Sequence, residues 1–238
     1  MHYLALPEEK IRPLSFYLAM EEYVARSTQF PDDLFFMWQV EPSVIFGRNQ
    51  DVEAEVNLDY CRSHGIHTFR RKSGGGCVYA DWSNVMLSYI TREAEVSSTF
   101  QRYLDLVTGA LEKMGIPATS TEHNDILIDG RKVSGTAFYH LPGASIVHGT
   151  MLYSTDMENM LHAITPSKQK LGKHGVQSVR QRITLLQDHT DMPLEEIKQF
   201  LRQTICSDEI TLSPEDVRQI EKLEKEYDDP KWIYRKVN

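Results

Sequence analysis

Residues 67 to 90 read HTFRRKSGGGCVYADWSNVMLSYI, and this stretch does most to decide the fold class. Both of its ends are rich in β-branched and aromatic residues, which favour strands, and a glycine-rich loop separates them. Upstream, FFMWQVEPSVIFG at 35 to 47 has the same character and is interrupted at Glu41 and Pro42. Strands therefore dominate the middle of the chain.

Helices are predicted on either side of these strands. From Ser15 to Arg26 apolar residues recur at helical spacing, and Asn57 is a plausible cap for a short helix that ends near Gly65. Further helices are predicted over residues 98–114, 193–206 and 213–227.

Two more β-rich runs, NDILIDGRKVSG at 124 to 135 and ASIVHGTMLY at 144 to 153, follow the long helix at 98–114. No regular alternation of strand and helix is visible, which argues against a doubly wound parallel sheet. The predicted class is α+β, with a mixed, largely antiparallel sheet flanked by helices.

Composition narrows the function classes. At 238 residues and 41% apolar, the chain can bury the core of one domain, or of one domain with a small appendage. A formal charge of -8 argues against a nucleic-acid binder with a broad basic face. No run is apolar enough for a membrane helix or a secretion signal, so a cytoplasmic location is expected. The three cysteines lack CxxC spacing, which favours neither disulfides nor a cysteine zinc site.

The glycine-rich loop is the first segment that could carry chemistry. Arg70, Arg71 and Lys72 run through Ser73 into three glycines, where backbone N–H groups can crowd around an anion and arginine can bind phosphate or carboxylate. The pattern is neither a Walker loop nor GxGxxG. A flexible turn with solvated charges is the alternative interpretation.

The second segment contains Asp129-Gly130, a strong hairpin signal because both positions tolerate positive φ. The hairpin would return Lys132 alongside Ile126–Ile128, close to Asn124 and Asp125. A lysine near the glycine loop could bind a carboxylate and a phosphate together and stabilise the charge that develops when one attacks the other. Taken alone, Lys132 could equally be a solvated hairpin lysine.

A third segment, GVQSVRQR at 175 to 182, follows a lysine-rich stretch at 168 to 173. It could close over a bound nucleotide. An exposed strand edge explains it equally well.

Taken together, six blocks in the same order resemble the lipoate-protein ligase A family over nearly the whole chain. They are IFGRNQ at 45–50, RRKSGGGCVYAD at 70–81, NDI at 124–126, GRKVSGTAF at 130–138, HGTMLY at 148–153 and SVRQRIT at 178–184.

The resemblance implies the fold of class II aminoacyl-tRNA synthetase and biotin-protein ligase catalytic domains. It also implies a two-step reaction. Lipoate (or octanoate) and MgATP first give lipoyl-AMP and pyrophosphate, and an acceptor lysine then attacks the mixed anhydride and releases AMP.

The resemblance assigns Lys132 the catalytic role of contacting the acyl carbonyl and the phosphate. Asp125 would bind the metal. His148 could line the acyl tunnel or be an ordinary core histidine, and we favour the core histidine. The residues expected to bind lipoate or nucleotide are Arg70, Arg71, Ser73, Gly74, Gly75, Gly76, Cys77, Val78, Tyr79, Asn124, Asp125, Ser134, Gly135, His148, Gly149, Ser178, Val179 and Arg180.

Two departures from the family leave alternatives open. Cys77 stands where related ligases usually have alanine. The larger ligases continue into an accessory domain, and Tyr227 and Lys231–Tyr234 resemble the stretch that joins their two domains. We therefore expect residues 1–238 to be a single catalytic domain, helical from about 190 onward. A transfer subunit that needs a separate accessory subunit for adenylation is the alternative.

The nearest rival is an octanoyl- or lipoyl-amidotransferase that uses a cysteine thioester and no ATP. Its nucleophile would align with Thr165-Pro166-Ser167, and serine is a weak substitute unless Cys77 replaces it. A biotin ligase fits less well, and a domain that only carries lipoyl-AMP is the non-enzymatic alternative.

The expected acceptors are lipoyl domains of 2-oxoacid dehydrogenase E2 subunits and the glycine-cleavage H protein. Since this chain is acidic, Arg70 and Lys72 with nearby cations would have to guide docking locally.

Overall fold

The computed structural model describes residues 1–31, 33–92, 95–122, 125–165 and 182–237. In chain order their elements are β1 His2–Ala5, α1 Leu14–Arg26, β2 Leu34–Trp38, β3 Ser43–Phe46, α2 Val52–Glu55, α3 Leu58–Ser63, β4 His67–Arg70, β5 Val78–Ala80, β6 Asn84–Thr91, α4 Val96–Lys113, β7 Ala118–Ser120, β8 Asp125–Ile128, β9 Arg131–Leu141, β10 Ala144–Leu152, α5 Met157–Ala163, a 3₁₀ turn Leu186–Asp188, α6 Leu194–Ile205, β11 Asp208–Thr211, α7 Pro214–Tyr227 and α8 Pro230–Ile233.

The strands form two sheets. The large sheet has the order β11-β1-β2-β6-β10-β9-β8-β7, in which β1 runs parallel to both of its neighbours and the remaining pairs are antiparallel. In the small sheet, β3 lies between β4, its parallel partner, and β5, its antiparallel partner. The predicted α+β class with a mixed, largely antiparallel sheet is confirmed.

Helices cover both faces of the large sheet. Phe36 and Ile146 face the layer of α1 and α7, whereas their neighbours Phe35 and Val147 face the layer of α4 and α6. This alternation is the two-residue period that a sheet buried on both faces requires. A third apolar cluster joins the small sheet to α2, α3 and α5.

The predicted hairpin is confirmed. Asp129 and Gly130 have φ values of 51° and 73°, the pair of positive angles that a type I′ turn requires. A register shift between Ile126 and Leu127 pairs Leu127 with Lys132. The turn therefore fixes where the Lys132 backbone lies.

The predicted Asn57 cap and the predicted helix positions also agree closely with the structure. The Asn57 side chain accepts a hydrogen bond from the backbone N–H of Tyr60 at the start of α3, and Ser213 forms a capping box with Asp216 at the start of α7. Within the described ranges no helix combines the length and apolar character needed to cross a bilayer.

Candidate functional site

Two cavities meet beside the glycine-rich loop. The small cavity, about 210 Å³, lies between this loop, α1 and the centre of the large sheet. The large cavity, about 480 Å³, extends from the same point towards α5. Five residues line both cavities, namely Cys77, Val78, Lys132, Gly135 and Thr150.

The small cavity has apolar walls that α1 and strands β2, β3 and β6 contribute through Leu18, Trp38, Ile45 and Met86. His148 on β10 adds a polar group. Walls of this kind suit a slender apolar chain.

The large cavity combines apolar residues of β10 and α5 with the charged side chains of Glu55, Asp125 and Arg182. A larger ligand with both a flat apolar part and charged groups would match this lining.

Lys132 lies where the two cavities join. Its Nζ is 2.7 Å from Oδ1 of Asp125, and the Lys132 and Asp125 side chains keep 41% and 28% of their surface exposed. A Cβ atom on Gly135 would come within 2.6 Å of this Nζ, so the glycine leaves room for the ammonium group. A cation at this junction can contact one ligand in each cavity.

Arg71 organises the glycine-rich loop from inside. Its guanidinium donates hydrogen bonds to the carbonyl oxygens of Gly74 at 2.6 Å, Gly76 at 2.7 Å and Ile45 at 3.1 Å. Burial lowers the pKa of Arg71 to about 10, which leaves it protonated at neutral pH. The loop is therefore held in shape by a cation that also lines the small cavity.

The loop also lies close to Gly47, which follows β3. A Cβ atom at position 47 would overlap the carbonyl oxygen of Gly75, and Gly75 itself has a φ of 89°. The backbone can approach this closely only because position 47 has no side chain.

A buried hydrogen-bond network forms one wall of the small cavity. Nδ1 of His148 is 2.8 Å from Oε2 of Glu21, and its Nε2 is 2.8 Å from Oγ of Ser73 in the loop. Glu21 also accepts a hydrogen bond from Ser88, which accepts one from the indole of Trp38. His148 is thus a buried, hydrogen-bonded histidine, which is the interpretation favoured from the sequence. It also lines the small cavity.

Sequence reasoning missed Glu21 and Trp38. The signal was present for Glu21, since it is an acidic residue among the apolar residues of α1 that face the core, and it is 3% exposed. A carboxylate at such a position needs a partner, which here is His148.

Arg70 requires a correction. It is completely buried and is not among the described residues that line the two cavities. Its guanidinium instead donates hydrogen bonds to carbonyl oxygens on two separate segments: Gly47, Arg48 and Gln50 on one side, and Ile233 and Arg235 on the other. A guanidinium that is used in this way cannot bind a phosphate or guide docking.

Lys72 requires the same correction. Its Nζ is paired with Glu22 at 2.8 Å and Glu226 at 3.0 Å, and its side chain is 16% exposed. It is a structural cation, so the predicted role of Lys72 in guiding an acceptor does not fit the structure.

The remaining predicted residues divide into three groups. Gly75, Gly76, Cys77, Val78, Gly135, His148 and Gly149 line the small cavity, while Tyr79 and Asp125 line the large one. Ser134 is buried in β9, and Ser73 contacts His148. Asn124, Ser178, Val179, Arg180, Pro166 and Ser167 lie outside the described residues.

A separate packing contact explains why position 149 is glycine. A Cβ atom there would lie 2.6 Å from the hydroxyl oxygen of Tyr103, which reaches β10 from α4 on the opposite face of the sheet. The absence of a side chain at 149 therefore accommodates Tyr103, while the backbone faces the small cavity.

Cys77 borders both cavities, and its Sγ is 3.3 Å from Oε1 of Gln50. In the described part of the chain, no group of three or more His, Cys, Asp or Glu side chains could hold a metal. Any divalent cation held by Asp125 would need most of its ligands from elsewhere, and phosphate oxygens commonly supply them for Mg²⁺.

Comparison with known proteins supports one family. The family model described as the lipoyl protein ligase A/B catalytic domain matches residues 13–206. Lipoate--protein ligase 1 of Staphylococcus aureus is 35% identical over 213 residues, 87% of this chain and 65% of that protein. Lipoate-protein ligase LplJ of Bacillus subtilis is 32% identical over 229 residues, 91% of this chain and 69% of that protein. The chain thus spans about two thirds of these relatives' length.

Solved structures agree with the sequence relatives. A bi-partite lipoate protein ligase from Thermoplasma acidophilum, described together with its E2 lipoyl domain, has 27% identity and a TM-score of 0.86, with 98% of this chain and 95% of that chain covered. Lipoate-protein ligase A bound with ATP has 26% identity and a TM-score of 0.84, with 98% of each chain covered. Protein Ta0514 of T. acidophilum with bound lipoic acid has 25% identity and a TM-score of 0.82, with 98% and 99% covered. On these findings, the chain belongs to the lipoyl protein ligase A/B catalytic domain family.

Proposed function

We propose that this chain is the catalytic part of an ATP-dependent lipoate-protein ligase. The observation that carries the proposal is the position of Lys132 at the junction of two cavities of different character. The small cavity would take the acyl chain of lipoate or octanoate, and the large cavity would take ATP. Similar proteins that have been solved with ATP and with lipoic acid support this assignment.

The first step would join the two ligands beside Lys132. A carboxylate oxygen of lipoate attacks the α-phosphorus of ATP, and pyrophosphate leaves with the electron pair of the broken P–O bond. Two anions must approach one another, and an ammonium group between them lowers that electrostatic barrier. The glycine-rich loop, which Arg71 holds in shape, would close over the acyl end.

The second step transfers the acyl group. The amine of an acceptor lysine attacks the acyl carbon, the bond from that carbon to the phosphate oxygen breaks, and AMP leaves with its electron pair. The proton that the amine loses passes to water. Lys132 would stabilise the negative charge on the carbonyl oxygen as the tetrahedral intermediate forms. In both steps the same ammonium group neutralises charge at the junction.

Asp125, which lies beside Lys132, is a carboxylate suited to a Mg²⁺ ion that arrives with ATP. One carboxylate plus triphosphate oxygens is a common donor set for this ion. When bound, Mg²⁺ would neutralise phosphate charge during adenylation. The oxygen of Asp125 near Lys132 would also orient the ammonium group.

The proposed acceptors are lipoyl domains of 2-oxoacid dehydrogenase E2 subunits and the glycine-cleavage H protein. The Thermoplasma neighbour is described with an E2 lipoyl domain, which supports the first of these. We also propose that residues 1–238 act as one catalytic unit, because the helical part beyond residue 190 packs on α1 and α4. We propose a cytoplasmic setting, which ATP-dependent chemistry fits.

A second candidate is a transfer subunit that needs a separate protein for adenylation. The Thermoplasma neighbour of nearly equal length is bi-partite, which favours testing it. Pyrophosphate release would be measured with purified chain, lipoate and ATP, and a lipoyl domain would then be weighed by mass spectrometry. Release followed by a lipoyl mass increase supports the complete ligase. Transfer only from supplied lipoyl-AMP supports the second candidate, and no modification in either arm contradicts both.

A further inference from the structure

The segment from Tyr227 to Arg235, here called the tail segment, contacts the residues that lead into the glycine-rich loop. Arg70 Nε donates a hydrogen bond to the carbonyl of Ile233 at 2.8 Å, and Trp232 Nε1 donates one to the carbonyl of Arg70 at 2.9 Å. The tail segment thus binds both the side chain and the backbone of the last residue of β4.

A second link joins the tail segment to Lys72 through a buried carboxylate. Glu22 on α1 is 1% exposed and accepts hydrogen bonds from Lys72 at 2.8 Å, from the Tyr227 hydroxyl at 2.6 Å and from Arg26. The Lys72 ammonium group also lies 4.7 Å from the centre of the Tyr227 ring. Lys72 is therefore fixed between α1 and the end of α7.

Lys72 directly precedes Ser73, the residue that attaches the loop to the cavity wall. Oγ of Ser73 contacts His148, and its carbonyl accepts a hydrogen bond from the backbone N–H of Arg48. A displacement of Lys72 must therefore be absorbed within Ser73 and the three glycines that follow. Gly75, Gly76 and Arg71 border the small cavity.

We infer that Glu22 and Tyr227 are positioning residues for the glycine-rich loop, which act on it through Lys72. The inference rests on the proposed function, because it takes the small cavity beside the loop as the acyl site. It adds that the tail segment and that site are energetically coupled. Because such coupling is reciprocal, loosening the tail segment weakens acyl binding, and filling the cavity stabilises the tail segment.

The test compares two tyrosine-to-phenylalanine variants at the same helix interface. Tyr227→Phe removes the hydroxyl bonded to Glu22 and keeps the ring. Tyr23→Phe is the matched control, because its hydroxyl donates to Asp216 at 2.7 Å across α1 and α7 without contact to Lys72. The readouts are amide hydrogen exchange of residues 73–77 in the full-length chain and the dissociation constant of lipoate by calorimetry.

The expected result is faster exchange in residues 73–77 and about five-fold or more weaker lipoate binding in Tyr227→Phe, while Tyr23→Phe matches the wild type in both. Lys72→Met should reproduce the effect, and the double variant with Tyr227→Phe should be no worse than the stronger single variant. Equal behaviour of the two tyrosine variants, or unaltered loop exchange in both Tyr227→Phe and Lys72→Met, overturns the inference. If the wild type does not bind lipoate, the proposed function fails, and the exchange comparison still decides the coupling.

Discussion

The ammonium group of Lys132 lies in the space that a side chain at position 135 would need. A Cβ atom on Gly135 would be 2.6 Å from Nζ and 2.7 Å from Cε of Lys132. Both residues belong to β9, so one short strand segment supplies the cation and the room for it. The side chain can move away from an added methyl group, which makes Gly135 a means of displacing the cation without removing it.

Gly135→Ala should therefore reduce catalysis more than stability. Displacing a catalytic group by about 1 Å can cost about 100-fold in rate, and we expect a loss of about 10- to 100-fold in lipoate-dependent pyrophosphate release. The melting temperature should stay near that of the wild type. Gly109→Ala in α4, where a Cβ meets open space, is the control and should retain full activity. A fully active Gly135→Ala enzyme would show that the position of the ammonium group is not critical.

Gly47→Ala should destabilise the protein, because an added Cβ would meet the backbone carbonyl of Gly75 and no flexible side chain can yield. Overpacking of this kind costs about 1–3 kcal/mol. Gly74→Ala is the comparison for stability, since a Cβ there meets nothing within 4 Å. Urea unfolding measures both variants. Equal midpoints for the two would mean that the loop does not approach Gly47 this closely.

Glu22→Gln should destabilise the chain most at neutral pH. Burial alone would raise the pKa of Glu22, but hydrogen bonds from Lys72, Tyr227 and Arg26 lower it overall. The carboxylate therefore favours the folded state above the pKa of an unfolded glutamate, about 4.3, and this contribution disappears as the pH falls through the lowered folded pKa. Urea unfolding at pH 7 should show a loss on the order of 3 kcal/mol, because two cations lose their buried partner.

The difference between Glu22→Gln and wild type should narrow below about pH 4. Glu215→Gln is the control, because Glu215 is exposed and its hydrogen bonds from Gln219 and Arg218 are screened by solvent. A pH-independent effect of Glu22→Gln would contradict the assigned role of the carboxylate charge.

Tyr103→Phe should leave stability unchanged or raise it. Among the described residues its buried hydroxyl has no hydrogen-bond partner, and burial raises its pKa, so it remains a protonated and unsatisfied group. Removing such a hydroxyl avoids a desolvation cost of about 1–3 kcal/mol. Tyr89→Phe is the opposite case, because the Tyr89 hydroxyl donates to Asp33 at 2.8 Å. Tyr89→Phe should lower the urea midpoint and Tyr103→Phe should not, and a clear loss in Tyr103→Phe would reveal a missing partner.

The parts of the site that were predicted from sequence depend on local rules. The Asp129-Gly130 turn sets the hairpin, and the hairpin places Lys132 beside Asp125. The three cations of RRKSGGG are consecutive, and the sequence does not reveal which of them points towards a ligand. Arg71 alone lines a cavity, because the groups that bind Arg70 and Lys72 come from residues that are far away in sequence.

Glu21 and Glu22 are a second case in which the sequence does not identify the partners of charged residues. Both are acidic residues in a helix whose apolar spacing predicts a core face, and both are almost completely buried. Their partners, His148 and Lys72, lie on a strand and a loop that only the tertiary fold brings to α1. A buried acidic residue on the core face of a helix indicates that it has a partner, but the sequence does not identify that partner.

The most direct test of the central claim compares Lys132→Met with Arg131→Met in lipoate- and ATP-dependent pyrophosphate release. The two variants remove one cation from adjacent positions of β9, and only Lys132 lines the two cavities. We predict a loss of about 100- to 1000-fold for Lys132→Met, with lipoate binding largely retained, and near wild-type release for Arg131→Met. Equal release by Lys132→Met and wild type would contradict the proposal that adenylation occurs at the junction where Lys132 lies.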